Sequence, residues 1–564
     1  MSGHTLFKWA ILLAAGLLGC DPNHPSPGPQ GADSQTNWLK SCQIDAECNG
    51  LSCVCGVCTQ TCSSDAACGE TTRGASCISA SDPGAITQCG GARPEAPGLC
   101  LPRCDDEHPC DTGKICVTNL CSPIPNPSVK VSVDISRPHQ VLVGFGASLA
   151  YAETQITSHP KRDQLLDAVF KELGLDVLRV RNRYVDSPRA DSPDVANTAE
   201  LVTAATARLG HAPGLFLTSW TPPATLKGNS ALKCNGAPNT CTLAKNAQGD
   251  FDYAGFGQYW RSSLDAYAKV GVKPDYIGLQ NNPNWVPNAT EVFEACKFLP
   301  VEGSATVSLN GRDTVVDYPG LAEAQSAVLE ALAGLSTRPK LLAPETSGSG
   351  NVADYVANLD LTEVAAFAHH LYGTDPSGTD PGGLAGLDAL PSERQRPVFI
   401  TEMEADGFDT ALTVHHATVD QGAAVYLQNA LLSPPSGPTA NPRAVFGVDD
   451  TSFVAQDPYH ALRHFARFTE PGWARVDATS TVTDLLASAW ISPSKDALTV
   501  ILINSGSTEL NIELDLPALL GTTSEISRSA FSGVERSVSL GSFTAERVLQ
   551  LPARGVMTVA LLPP

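Results

Sequence analysis

Four short stretches bring together side chains able to do chemistry. Gln280-Asn281-Asn282-Pro283-Asn284-Trp285 completes the apolar run DYIGLQ, and Ser219-Trp220-Thr221-Pro222-Pro223 completes GLFLTSW. His369-His370-Leu371-Tyr372-Gly373 completes VAAFAHHLY, and Thr401-Glu402 ends PVFITE. The set holds one carboxylate, several amide and imidazole hydrogen-bonding groups and two tryptophans. It suits a sugar, whose C–H faces stack on aromatic planes and whose hydroxyls need both donors and acceptors. Glu404 has the parity of Glu402 along its strand but lies further into the loop, so it ranks second.

The runs that carry these residues alternate with segments of helical spacing. Strands are expected at VLVGFGAS (from Val141), LDVLRVR (from Leu175), GLFLTSW, DYIGLQ, KLLAPE (from Lys340), VAAFAHHLY and PVFITE, with an eighth at AVFGV (from Ala444). Between them, Leu165, Leu166, Val169, Phe170 and Leu173 recur at helical spacing, and further helices are expected over 194–209, 256–271, 321–335 and 459–468. Eight β/α units in roughly 340 residues predict an α/β fold, a (β/α)8 TIM barrel over 129–471 with its chemistry at the strand C-termini. A doubly wound sheet lacks support, because no Gly-rich phosphate fingerprint is present. Past Gly472 the chain turns Thr/Ser/Val/Leu-rich, with runs such as ALTVILIN and GVMTVALL. That predicts a β-sandwich over 472–564, to which VKVSVDI within 129–137 can add a strand.

The 564 residues carry 37 Lys+Arg against 59 Asp+Glu, a formal net charge of −22. This excludes a broad basic face for nucleic acid. Trp9–Leu18 is an apolar run too short to span a bilayer, and it ends Leu17-Leu18-Gly19-Cys20. The pattern resembles the lipobox of bacterial lipoproteins. It implies a signal peptide over 1–19, a lipid on Cys20, and an exported protein held at a membrane on the periplasmic side or at the cell surface. A Pro-rich tether over 20–40 follows. Residues 41–121 hold fourteen cysteines, which in an exported chain read as a disulfide module of up to seven bridges. Zinc is the rival on the Cys55-x2-Cys58 spacing, but the segment has a single histidine, His108. The module's partner, a protein or the cell wall, is not readable. Residues 122–128 form a second linker. No metal or cofactor is expected.

Taken in order, GFGAS at Gly144, LDVLRVR, SWTPP, QNNPNW with EACKF at Glu294, HHLYG, TE at Thr401 and YHALRHFARFTEPGW at Tyr459 resemble glycoside hydrolase family 30. These are retaining β-glycosidases on a TIM barrel with an attached β-sandwich, and the likeness covers about Val129 to Pro564. The pattern is nearer the bacterial xylanases than the glucosylceramidases. The resemblance implies Glu402 as nucleophile, with Arg179 and Tyr372 hydrogen-bonding its carboxylate. It implies Asn281 on the sugar 2-hydroxyl, and Trp220, Trp285 and His370 around the glycone. Cys234 and Cys241 enclose a short loop and are spaced to form a bridge that leaves Cys296 free.

One position departs from the family. The motif at the fourth strand is Asn-Glu-Pro, its glutamate the general acid/base; this chain has Asn281-Asn282-Pro283. An amide neither gives a proton to a leaving alkoxide nor takes one from water. Glu345 is the best-placed substitute acid, with Glu291 and Glu294 in the loop after strand four. Two readings follow: an exported, lipid-anchored hydrolase of β-linked poly- or oligosaccharides with an altered acid/base arrangement, or a carbohydrate-binding surface lipoprotein that has lost turnover.

Overall fold

Strands of a parallel sheet are covered on both faces and must be apolar along their length. In the computed structural model the buried runs close into an eight-stranded parallel barrel. Its strands are β1 (Gly144–Ser148), β2 (Val177–Arg181), β3 (Gly214–Thr218), β4 (Tyr276–Gly278), β5 (Lys340–Thr346), β6 (Val364–His370), β7 (Val398–Met403) and β8 (Ala423–Gln428). They pair in chain order, and β8 closes on β1 with Val425 opposite Gly144. The structure describes residues 42, 44–48, 50–54, 57–68, 75–81, 98–102, 114–117, 120–123, 128–182, 193–234, 236–287, 293–309, 311–373, 392–433, 441–517, 523–544 and 548–563.

Helices pack outside the barrel. They span Pro193–Leu209 after β2, Tyr253–Lys269 after β3, Leu321–Leu332 after β4, Gly407–Val419 after β7 and Asp457–Ala466 after β8. Asp252 caps the second of these, its carboxylate accepting from the Gly255 amide at 2.8 Å. A hairpin, Gly303–Leu309 with Arg312–Tyr318, is inserted after β4.

The eighth strand is not AVFGV. Phe446–Val448 pairs antiparallel with Phe453–Ala455 in a separate hairpin, and Ala423–Gln428 takes the barrel position. Both runs are apolar and fully buried, so hydrophobicity alone does not choose between them. The flanks do. Gly422, at φ 63°, turns the chain out of the preceding helix. Asp449 accepts from the backbone of Thr451 and Ser452 at 2.8 and 2.7 Å, which stops the later run.

Beside the barrel lies a nine-stranded sheet. It contains Ala474–Ser480, Leu485–Ile491, Leu498–Asn504, Leu510–Asp515, Thr523–Ala530 and Gly555–Leu562. Ser128–Val141, from before the barrel, is inserted between Ala474–Ser480 and Leu510–Asp515. His464 ties the last barrel helix to this sheet through Thr558 and Ser529, both at 2.9 Å.

The chain divides into two compact units at Asn126/Pro127. The first has three short hairpins and, among the described residues, four bridges: Cys42–Cys53, Cys48–Cys58, Cys62–Cys77 and Cys68–Cys100. Cross-links replace a hydrophobic core that so short a segment cannot build. Residues 1–40 with Cys20, the side chains of Cys55, Cys89, Cys104, Cys110, Cys116 and Cys121, and Glu291 lie outside the described residues. No described helix is long and apolar enough to cross a membrane.

Candidate active site

Arg179, on β2, is the centre of the barrel's polar interior and is fully buried. A guanidinium that has lost its water must satisfy its donors within the protein. Its Nη1 donates to Glu402 Oε2 at 2.5 Å, and its Nη2 to Asn281 Oδ1 at 2.6 Å and Glu345 Oε1 at 2.9 Å. The Trp220 ring lies against it, 4.3 Å from the guanidinium carbon. One cation from β2 therefore gathers groups from the ends of β4, β5 and β7.

Glu402 receives a second donor, the Tyr372 hydroxyl, at 3.0 Å. Burial would raise this carboxyl's pKa, but the facing His370 and Arg179 and the bonds from Arg179 and Tyr372 outweigh it and hold the group below its ordinary value. Burial pushes His370 itself down to about 3. Its imidazole is then neutral near pH 7, so Arg179 is the cation that keeps Glu402 ionised. His370 Nδ1 stands 3.9 Å from Glu402, and Tyr372 meets the His370 ring edge-on at 6.0 Å.

Glu345 faces inward. It is fully buried and accepts from Arg179 and from Thr218 Oγ1 at 3.1 Å. Gly278 makes its space: a Cβ there would stand 1.7 Å from Glu345 Oε2. Burial lifts this carboxyl to about 7, more than Arg179 and Thr218 lower it. The group can hold a proton, and no part of it is exposed to solvent.

Asn282 adopts φ 50°. Its N–H donates to the Glu345 carbonyl at 3.0 Å, and its own carbonyl accepts from the Trp285 N–H at 3.0 Å. Its Oδ1 is buried without a hydrogen-bond partner among the described residues. Trp285 is half-buried and packs on the Cys234–Cys241 bridge, Ala295 and Phe293; Cys296 is free and buried.

Asn429, Arg181 and Tyr151 lie outside the expected set, and they meet Glu404 and Glu294, which belong to it. Asn429, at the end of β8, donates to Tyr372 at 3.4 Å and to Glu404 at 3.2 Å. Burial and then the charge of Glu402 raise the Glu404 carboxyl. Arg181, two residues beyond Arg179, pairs with Glu294 at 2.5 Å and lies 4.0 Å from the Tyr151 ring. Tyr151 in turn meets Trp220 edge-on at 6.5 Å. The alternation in LRVR was a usable signal, since residues two apart share a face. Asn429 and Tyr151 had none, because loop conformation decides what they touch.

Ion-paired carboxylates, amides and aromatic faces thus gather at the C-terminal ends of a closed parallel barrel, with a β-sheet domain beside it. The fold is the one seen in glycoside hydrolase family 30 xylanases. The family 30 subfamily 8 xylanase Xyn30A of Clostridium acetobutylicum overlays 77% of this chain and 99% of its own, at 20% identity and a TM-score of 0.57. A family 30 endoxylanase of Clostridium papyrosolvens covers the same shares to within one per cent, at 18% identity and TM-score 0.57. By sequence, the glucuronoxylanase XynC of Bacillus subtilis is 24% identical over 450 residues, 76% of this chain and 90% of that protein. No family model matches.

Proposed function

We propose that the protein is an exported glycoside hydrolase of the family 30 type, acting on xylan-like β-glycans by a retaining mechanism. The observation that carries this reading is Glu402, a carboxylate kept ionised inside the barrel mouth and fixed by both Arg179 and Tyr372. A carboxylate so held is a positioned nucleophile: one Oε attacks the anomeric carbon, the aglycone oxygen departs, and water then cleaves the glycosyl ester. Asn281 has its oxygen engaged by Arg179, which turns its amide nitrogen toward a sugar hydroxyl. The xylanases and the glucuronoxylanase above support xylan as the substrate class.

The test is covalent trapping. A 2,4-dinitrophenyl 2-deoxy-2-fluoro-β-xylobioside should form a stable adduct that peptide mapping places on Glu402. An adduct on another residue would overturn the assignment. The alternative of a carbohydrate-binding protein without turnover is favoured by Asn282, and it gains if xylo-oligosaccharide binds while no adduct forms.

The disulfides are compatible with an extracellular protein, and the lipobox supports a lipid anchor on Cys20. Cys20→Ser is expected to move the protein from the membrane to the soluble fraction. Retention of the variant on membranes to the same extent would remove the anchor from the proposal.

A further inference from the structure

A retaining glycosidase uses two carboxylates, one to attack carbon and one to carry a proton to and from oxygen. We infer that Glu294 is the second carboxylate, the general acid/base of this site; the inference rests on the glycosidase reading above.

Arg179 and Arg181 are two apart on β2, so their side chains leave the same face of the strand, their Cα atoms about 6.6 Å apart. Each holds one carboxylate at 2.5 Å, Arg179 that of Glu402 and Arg181 that of Glu294. Each also packs on an aromatic ring, Trp220 for Arg179 and Tyr151 for Arg181. The rings touch edge-on, and Tyr151 is 56% exposed. Two carboxylates are thus held by arginines two residues apart on one strand, beside a pair of aromatic rings of which Tyr151 opens to solvent.

Glu294 is also anchored in the way a proton carrier must be. Phe293–Glu294 pairs antiparallel with Lys233–Cys234, and Cys234 is bridged to Cys241. The buried Lys227 donates to the carbonyl of the next residue, Ala295, at 2.6 Å.

The other described groups near Glu402 are placed for other work. Glu345 is fully buried against Arg179 and Thr218, and Glu404 follows directly on the nucleophile's strand, held by Asn429. The amide of Asn282 has no proton to give. His369 and His370 are fully buried, and burial keeps both neutral near pH 7.

In the first step a Glu402 oxygen bonds to the anomeric carbon as the bond to the aglycone oxygen breaks. That oxygen keeps the electron pair and takes the proton of Glu294. In the second step Glu294 removes a proton from water, whose oxygen bonds to the anomeric carbon as the bond to Glu402 breaks. Glu294 is again protonated and Glu402 again ionised.

The experiment compares wild type and Glu294→Gln on xylan and on 2,4-dinitrophenyl β-xylobioside, whose leaving group departs without a proton. Glu294→Gln should lose about 10²–10⁴-fold on xylan and far less in the formation of the glycosyl-enzyme from the aryl glycoside. Azide, which needs no deprotonation, should accelerate the variant and yield the β-glycosyl azide, leaving wild type unaffected. The ratio of the two substrates within one sample does not depend on how much of the variant folds, and Glu294→Asp should keep part of the xylan activity. Equal losses on both substrates, or azide acceleration of wild type, would overturn the role of Glu294. A wild type that forms the Glu402 adduct but cleaves xylan no faster than Glu294→Gln overturns it while leaving the glycosidase reading intact. A wild type giving neither adduct nor product overturns both.

Discussion

Glu402→Gln is expected to abolish turnover of every glycoside, activated or not, by about 10⁴–10⁶-fold, the scale on which loss of an enzymic nucleophile is measured. Four of those decades correspond to about 5.4 kcal/mol of barrier. The variant should remain folded and bind sugar nearly as before. Gln keeps the shape and offers its one oxygen to Arg179, its NH2 facing the Tyr372 hydroxyl, which can accept as well as donate, while Glu345 remains as counter-charge to Arg179. In Glu402→Gly, which empties the space that Gln still fills, azide should restore reaction, but from the opposite face, because it enters where the carboxylate stood. The product would be the α-glycosyl azide. Residual activity within tenfold of wild type would mean that another group attacks the anomeric carbon.

Arg179→Leu should damage stability and ionisation together. Wild type balances two buried carboxylates with one guanidinium. Removing one partner of a buried pair costs about 3–5 kcal/mol, because the remaining charge is left uncompensated in low dielectric. Glu402 is held below its ordinary pKa chiefly against its own burial, so without Arg179 it should take up a proton as pH falls earlier than in wild type. The acidic limb of the rate profile should then move up by about one to three pH units. Arg179→Lys should restore little, since an ammonium cannot present a planar fork to three acceptors. Thermal unfolding and kcat against pH measure both effects. A variant with an unchanged melting temperature and an unmoved acidic limb would show that Arg179 neither balances nor tunes the site.

Much of this site can be read along the chain, because a parallel barrel writes its strands as buried apolar runs and its chemistry where they stop. Glu402, His370 and Tyr372 are found that way. Arg179 is found through its motif, since nothing in LDVLRVR alone says which carboxylates it will meet. The eighth strand was misplaced because AAVYLQ and AVFGV are equally apolar, and only turn chemistry at Gly422 and Asp449 separates them. Glu345 shows a different limit. Its place at the end of a strand suggests access to substrate, and its side chain is fully buried among the ends of the neighbouring strands, where Gly278 leaves room for it. Glu294 lies in a two-residue strand paired with Lys233–Cys234, so its meeting with Arg181 depends on a disulfide and a buried lysine rather than on any period.

The strand Ser128–Val141 lies inside the nine-stranded sheet although the whole barrel separates it in the chain from its neighbours there. In genetic terms the barrel is an insertion within another domain. Its two ends are stitched into a common seam, with Ala474–Ser480 hydrogen-bonded along Ser128–Val141. A gene fragment cut at the barrel's borders would leave the sheet with an unfilled slot and two exposed strand edges. The portable module of this protein is therefore the barrel together with its sheet, and grafting or shuffling has to carry both.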